Sequence, residues 1–112
     1  MNAGDVVEVD FGNPVGSEAG YVRRAVVVTA DAFLRYRPAT VFAVPLTSRN
    51  RAFPSHVPVE HDDPNGLARP STALVEQMRA IAVERCSRPV GNVGPSVLHQ
   101  ILDVLAMMTG MP

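Results

Sequence analysis

The sequence predicts a small, mainly β domain: a partly open barrel of five or six short strands, closed by a C-terminal helix. Three observations support this fold class. Short apolar or alternating segments recur along the chain, 10 prolines and 8 glycines interrupt them, and a helical stripe of apolar residues is clear only near the end. The length of 112 residues suits one compact domain over residues 1–112, without an internal repeat or linker.

The first part of the chain predicts two strands and a short helix. Val7, Val9 and Phe11 alternate with acidic residues, which is the pattern of a half-buried strand. A run of β-branched residues after an arginine pair indicates a buried second strand. A short helix follows, with Asp31 as its expected N-cap, and it stops before Pro38. The predicted elements are a strand at 6–11, a turn-rich loop at 12–20, a strand at 23–30 and a helix at 31–37.

The middle of the chain predicts further short strands, two of which contain proline. Pro45 cannot donate a hydrogen bond to a ladder, so its strand is expected at a sheet edge or with a bulge at that point. Pro58 interrupts the next strand in the same way. After Glu76 the pattern is compatible with either one helical turn or a strand. The predicted elements are a strand at 40–48, a basic loop at 48–54, a strand at 55–60, a turn cluster at 61–70 and a segment at 71–86 that begins as a strand.

The end of the chain predicts the one clear helix, over residues 94–110. Pro95 suits the first helical turn, and apolar residues recur at helical spacing. Further apolar residues widen this face, so we expect the core to cover one side and a second side to remain for a partner subunit. The stripe consists of Leu98, Ile101, Leu102, Leu105 and Met108, and the widening residues are Val97, Val104 and Met107.

The charge distribution argues against nonspecific coating of DNA but is compatible with a local anion site. The formal net charge is −1, and the ten basic residues are all arginine, several of them in close pairs. Arginine presents a planar fork of donors that suits phosphate. The alternative is ordinary surface charge, with arginine favoured by genomic base composition, and composition alone favours this alternative.

Three features predict a cytoplasmic protein that does not enter a membrane. No apolar run approaches the roughly 20 residues of a membrane helix, and the N-terminal segment lacks the basic region of a signal peptide. Cys86 is the single cysteine, so it cannot form an internal disulfide. We expect it to be a small buried apolar residue.

The sequence contains no recognisable metal-binding or nucleotide-binding motif. The three histidines and one cysteine lack the spacing of a zinc site, and neither a phosphate-loop nor a GxSxG pattern is present, so we expect no metal and no cofactor. His56 lies near arginines and is a candidate base, although a lone strand histidine is more often structural. Thr47 and Ser48 end the third predicted strand, where a hydroxyl either binds a phosphate oxygen or only finishes the strand.

Several segments follow the order and spacing of a known toxin family. They are "GDVVEVDFGNPVGSEAGYVRRAVVVTAD" (4–31), "VFAVPLTS" (41–48), "FPSHV" (53–57) and "STALVEQMRAIAVER" (71–85). Each is a weak signal alone, but their ordered combination is specific. On these segments the chain resembles the MazF/PemK (Kid) family of bacterial toxins almost from end to end.

This resemblance implies an SH3-like barrel of the CcdB/PemK type, with a short helix after strand two and a C-terminal helix, that forms a homodimer. It implies an mRNA interferase, which is a metal-independent endoribonuclease that cleaves single-stranded RNA, chiefly mRNA, when the 2′-hydroxyl attacks the adjacent phosphate. It also implies a cognate antitoxin of a type II toxin–antitoxin system. We expect the acidic, disordered tail of this antitoxin to order across a basic groove and displace the loop at 12–20.

The family's catalytic roles carry over to Arg23, which enters the second strand, and to Thr47. Arg24 departs from the family, because it stands where proline is usual. Arginine stays protonated in proteins and is therefore a poor base, so Glu18 and His56 are the candidate proton acceptors. The residues expected to bind RNA are Gly16, Ser17, Arg24, Ser48, Arg49, Arg51, His56 and Gln77.

Two other function classes remain open. A non-catalytic homologue would bind RNA or antitoxin without cleaving RNA, and Arg24 in place of proline is the feature that suggests it. A CcdB-type toxin would share the barrel and poison gyrase by binding to it. Toxins of that type resemble one another in a Trp-containing C-terminus, whereas this chain has no tryptophan.

Overall fold

The computed structural model describes residues 1–49 and 52–110. Over these residues the chain forms seven strands and two α-helices. In chain order they are β1 (Asp5–Asp10), β2 (Val22–Val27), α1 (Asp31–Leu34), β3 (Thr40–Thr47), β4 (His56–Val59), β5 (Ser71–Leu74), β6 (Arg79–Ala82), β7 (Gly91–Asn92) and α2 (Gly94–Met108). Single 3₁₀ turns at Val75–Gln77 and Val83–Arg85 flank β6. No helix within the described ranges has the length and apolar character to cross a bilayer.

The strands form a small barrel with an outer hairpin attached. β1, β2, β3 and β6 pair in antiparallel order, and a bridge between Val9 and Cys86 brings the chain after β6 back to β1. β5 pairs with the second half of β3, and β4 pairs with β5 on the outside. The prediction of a small, mainly β barrel with a C-terminal helix is confirmed.

Alternation along the strands divides the core into two layers, because neighbouring residues point to opposite faces of a strand. One layer fills the barrel and comprises Val7, Val9, Phe11, Ala25, Val27, Val41, Ala43 and Ile81. The other lies between the sheet and α2 and includes Val6, Val26, Val44, Leu46 and Ile101. Polar residues enter the β1–β2 ladder at its midpoint, where Glu8 pairs with Arg24, and continue with Arg23 and Asp10 to its end. The candidate site residues gather at this end.

The expectation that Pro45 marks a sheet edge is wrong. β3 is a central strand, with β2 on one side and β6 and then β5 on the other. The carbonyl of Phe42 accepts a hydrogen bond from Val28 on the β2 side, and alternation turns the nitrogen of Pro45 to the opposite side. There the pairing partner changes from β6 to β5, so the missing donor falls in a gap between ladders. Pro58, by contrast, lies in the outermost strand, β4.

The two helices are shorter than predicted. α1 ends at Leu34, and its N-cap is Ala30, not Asp31. The Asp31 carboxylate instead accepts a hydrogen bond from the Ala3 amide at 2.8 Å, so it ties the N-terminus to the helix. α2 ends at Met108 and buries Ile101 against the core.

The face of α2 that turns away from the core agrees with the predicted second apolar side. Leu102 is 38% exposed, Met108 47% and Met107 74%.

Two further expectations concern the segment after Glu76 and the cysteine. The segment was compatible with a helical turn or a strand, and it contains both: a 3₁₀ turn and then β6. Cys86 is half-buried, less than expected, and this burial raises the pKa of its thiol.

Candidate functional site

A cavity of about 240 Å³, which we call the first cavity, lies where β2 begins and β3 ends. Most of the predicted site residues meet in its wall: Gly16, Ser17, Glu18, Arg23, Thr47, Arg49 and Gln77. Ala19 and Leu74 also line it. Sequence reasoning misses these two, because neither side chain carries a polar group that would mark it.

The register of β2 and β3 places Arg23 opposite Thr47. Ala25 pairs with Pro45 in this ladder, and continuing the antiparallel register by two residues brings Arg23 across from Thr47. Side chains two positions apart share a face of a strand, so Arg23 lies on the face of Ala25. Arg24 points to the other face. The first cavity therefore receives Arg23 and not its neighbour.

The backbone and side chain of Arg23 are both held. Its Nε donates to the carbonyl of Gly20 at 3.2 Å. Its Cα pairs with that of Val9 in β1, a residue without exposed surface. A cation on a central strand that is held in this way is preorganised for an anion, because little reorganisation is needed when the anion arrives.

The hydroxyl of Thr47 is oriented by the chain that follows it. Its Oγ1 accepts a hydrogen bond from the Arg49 amide at 3.2 Å. A hydroxyl has one donor hydrogen and two acceptor lone pairs, so the hydrogen can still be donated into the cavity. The guanidinium of Arg49 makes no hydrogen bond or ion pair with any other residue of the described ranges. It therefore adds an uncompensated positive charge to the wall.

Gln77 clamps the loop that closes the other side of the first cavity. Its Oε1 accepts a hydrogen bond from the Ala19 amide, and its Nε2 donates to the Ser17 carbonyl at 3.2 Å. At one end the loop is closed on itself, because the Tyr21 amide donates to the Gly12 carbonyl at 2.6 Å. The predicted loop at 12–20 is thus packed by a residue that lies far away in sequence.

Glu18 brings a carboxylate to the first cavity. Its Oε1 accepts a hydrogen bond from the Val15 amide at 2.9 Å, so this oxygen holds the loop. Its Oε2 has no hydrogen-bond or ion-pair partner among residues 1–49 and 52–110. One carboxylate oxygen is therefore available in a wall that otherwise contributes positive charge.

Arg24 lies on the opposite face of β2 and bridges two elements. Its Nε is 3.5 Å from Glu8 Oε1 in β1, and its Nη1 donates to the Gly66 carbonyl at 2.8 Å. Together with Ser48 it lines a second cavity of about 290 Å³. Arg24 and Ser48 are therefore separated by the sheet from the predicted site residues of the first cavity. Thr47, at the end of β3, lines both cavities and connects the two groups.

His56 does not line the first cavity. Its side chain is only 7% exposed, its ring contacts that of Phe53 at 5.5 Å between centroids, and its Nε2 donates to Glu76 Oε2 at 2.9 Å. Partial burial alone raises the pKa of the Glu76 carboxyl, but hydrogen bonds, chiefly with His56, outweigh it and hold the pKa below its ordinary value. The histidine therefore supports the 3₁₀ turn that carries Gln77.

Arg51, one of the residues predicted to bind RNA, lies outside the described residues. Within residues 1–49 and 52–110, no three side chains of histidine, cysteine, aspartate or glutamate come together as a metal site would require.

The comparisons with known proteins agree on one family. The model of the PemK-like, MazF-like toxin of type II toxin–antitoxin systems matches residues 2–109. The chain is 34% identical to the endoribonuclease MazF9 of Mycobacterium tuberculosis, over 96% of this chain and 94% of that protein. It is 30% identical to the endoribonuclease EndoA of Bacillus subtilis, over 94% and 90% respectively.

Solved structures show the same fold. MazF from Deinococcus radiodurans superposes with a TM-score of 0.83 at 24% identity, covering 99% of this chain and 97% of that one. A mycobacterial endoribonuclease in complex with its cognate antitoxin superposes with a TM-score of 0.79 at 24% identity, covering 100% and 97%. With the family model matching nearly the whole length, the chain belongs to the PemK-like, MazF-like toxins of type II toxin–antitoxin systems.

Proposed function

We propose that the first cavity is the active site of an endoribonuclease toxin that cleaves single-stranded RNA, chiefly mRNA, without a metal ion. The observation that carries the proposal is the placement of Arg23 opposite Thr47 in a cavity whose wall also holds Arg49. The curated relatives at 34% and 30% identity bear the name endoribonuclease, which supports the same activity.

The reaction begins when the 2′-hydroxyl of the substrate attacks its own adjacent phosphate. A bond forms between the 2′-oxygen and phosphorus, and the bond from phosphorus to the 5′-oxygen breaks. The 2′-proton goes to a base, and the departing 5′-oxygen takes a proton from water. The products are a 2′,3′-cyclic phosphate and a 5′-hydroxyl.

The side chains of the first cavity fit the charge changes of this reaction. Negative charge grows on the non-bridging phosphate oxygens in the transition state, and the fixed guanidinium of Arg23 stabilises it with charge-assisted hydrogen bonds. Thr47 donates its free hydroxyl hydrogen to the same phosphate. Glu18, through Oε2, is the acceptor for the 2′-proton, because His56 is engaged with Glu76 away from the cavity.

The position of Arg24 bears on the alternative of a non-catalytic homologue. That alternative rests on an arginine replacing the usual proline next to the catalytic arginine. Arg24 points to the face opposite Arg23 and is engaged by Glu8 and Gly66, so it does not enter the first cavity. This favours an active enzyme.

The proposed partners follow from charge and from the exposed face of α2. We propose a homodimer in the cytoplasm, because Leu102, Met107 and Met108 leave apolar surface that a second copy covers. The antitoxin presents an acidic, disordered tail that orders over Arg23 and Arg49 and displaces the loop at 12–20. Light scattering of the isolated protein and competition between antitoxin and RNA test this assembly. A monomer at micromolar concentration, or simultaneous binding of both ligands, refutes it.

Incubation of the purified protein with single-stranded RNA in EDTA is the direct test of activity. We expect cleavage to persist and the products to carry cyclic phosphate and 5′-hydroxyl ends. A single 2′-deoxy substitution at the scissile nucleotide removes the nucleophile and should stop cleavage there. Efficient cutting of the deoxy substrate would contradict the mechanism, and binding without cleavage of any RNA would favour the non-catalytic homologue.

A further inference from the structure

The second cavity is a built site on the face of β2 and β3 opposite the first cavity. Its floor is apolar, formed by the buried Leu46 and Leu67, and the exposed Ala68 lies at its side. Its rim carries two guanidinium groups, from Arg24 and Arg69, and none of the described residues that line it is acidic. Concave surfaces with an apolar floor and a few fixed polar groups are typical of sites for small organic groups. The guanidinium of Arg69 favours an anionic group, since that of Arg24 is paired with Glu8.

The wall of the second cavity is fixed by a buried asparagine. Asn65 is 1% exposed. Its Oδ1 accepts hydrogen bonds from the amides of Asp62 and Leu67, and its Nδ2 donates to the Glu60 carbonyl at 2.7 Å. This network shapes the loop so that the Gly66 carbonyl meets Arg24 and Leu67 packs into the core. The cavity is therefore formed before any ligand arrives.

The two arginines have different roles at this rim. Arg24 is held by Glu8 and the Gly66 carbonyl. The side chain of Arg69 makes no hydrogen bond or ion pair within the part of the chain that the structure describes. Its backbone carbonyl accepts a hydrogen bond from Ser71 Oγ at 3.2 Å, which orders the chain on which it stands. Arg69 therefore offers its guanidinium donors to a ligand, whereas Arg24 forms a fixed part of the wall.

Thr47 links this site to the cleavage site. It is the last residue of β3 and lines both cavities, so a ligand can pass around the strand end from one face of the sheet to the other. We propose that the second cavity binds the nucleotide next to the scissile phosphate, with its phosphate on Arg69 and its base over the apolar floor. This inference rests on the proposed function of the first cavity.

Arg69→Gln tests the proposal, with Arg85→Gln as the matched control. Both side chains are exposed, and Arg85 lines neither cavity. Binding is measured with a 2′-deoxy, uncleavable oligonucleotide, and cleavage with RNAs shortened stepwise from each end. For Arg69→Gln we expect about tenfold weaker binding of long oligonucleotides and a salt slope reduced by about one phosphate contact. Arg69→Gln should also have a lower kcat/KM than the wild type on long RNAs. This difference should disappear once truncation on one side removes the nucleotide next to the scissile phosphate.

The outcomes separate this inference from the proposed function. If the wild type cleaves RNA but Arg69→Gln behaves like Arg85→Gln at every length and salt concentration, the subsite is refuted while the active site stands. If Arg69→Gln weakens only antitoxin binding, the cavity is a protein-docking surface and the inference is again refuted. If the wild type cleaves no RNA but Arg69→Gln still weakens oligonucleotide binding and its salt slope, the RNA contact stands without the cleavage.

Discussion

The link between Gln77 and the loop at 12–20 offers the sharpest test of how the cavity is assembled. Gln77 accepts from the Ala19 amide and donates to the Ser17 carbonyl. Replacing Gln77 with Met keeps the length and shape of the side chain but removes both hydrogen bonds. The exposed Gln100 on α2 provides the matched control, as Gln100→Met.

The size of the effect follows from the bonds lost. A net hydrogen bond contributes about 0.5–1.5 kcal/mol, so two of them hold the loop closed by about 1–3 kcal/mol, which is roughly 5- to 150-fold in the closed-to-open ratio. Because the closed loop belongs to the native state, we expect the free energy of global unfolding to fall by no more than this same amount, about 1–3 kcal/mol.

Amide hydrogen exchange and kinetics measured on the same samples check this reasoning. In Gln77→Met the protection of the Ala19 amide should fall by roughly the factor in the closed-to-open ratio, whereas kcat/KM should fall only as far as the fraction of molecules with a closed loop falls. Gln100→Met should match the wild type in both. Unchanged exchange at Ala19 would refute the clamp. If kcat/KM fell while that exchange stayed constant, Gln77 would contact RNA directly and its role in closing the loop would be disproved.

Three further predictions concern the active pair and the supporting histidine. Arg23→Ala should lower kcat about 10²- to 10³-fold without loss of fold; an active Arg23→Ala beside an inactive Arg24→Ala would reverse the assignment of the two arginines. Thr47→Ser should keep most of the cleavage rate, whereas Thr47→Ala should lower that rate about ten- to a hundredfold. Equal cleavage rates for the two variants would exclude the hydroxyl from the reaction. The folded-state pKa of Glu76 lies below its ordinary value. The ionised form of Glu76 therefore adds stability above that ordinary value, and this contribution is lost as the pH falls through the lower folded-state pKa. Urea unfolding should therefore show a shallower acid loss for Glu76→Gln than for the wild type, and parallel curves would contradict the role of the bond to His56.

Local patterns predicted the fold well where one rule dominated. Alternation located β1, and the apolar stripe located α2. Pro45 was expected at an edge or a bulge because its missing donor is visible in sequence, whereas the change of partner from β6 to β5 depends on residues more than 25 positions away. Asp31 failed as a cap for a similar reason, since its hydrogen-bond partner is the Ala3 amide.

The candidate site was predictable to a different degree for each residue. Period-two geometry separates Arg23 from Arg24 once the register with β3 is known, but the sequence alone does not give that register. His56 lies near arginines in the chain, yet its ring is buried beside Phe53 and Glu76. Leu74 had no polar signal, so only the folded structure reveals its place in the wall.

The two halves of β3 give the toxin a modular construction. Arg23 belongs to the barrel, whereas Thr47 belongs to the half of β3 that pairs with β5. In the described part of the chain, the ladder between the barrel and the outer hairpin consists of Leu46 and Thr47 of β3 paired with Ala73 and Thr72 of β5. A graft of residues 52–74 from a relative would thus replace Leu74 in the first cavity and most of one wall of the second, and it would leave unchanged the strand that carries Arg23, the proposed catalytic residue. For protein engineering, the outer hairpin is the exchangeable part through which new RNA preferences can be introduced.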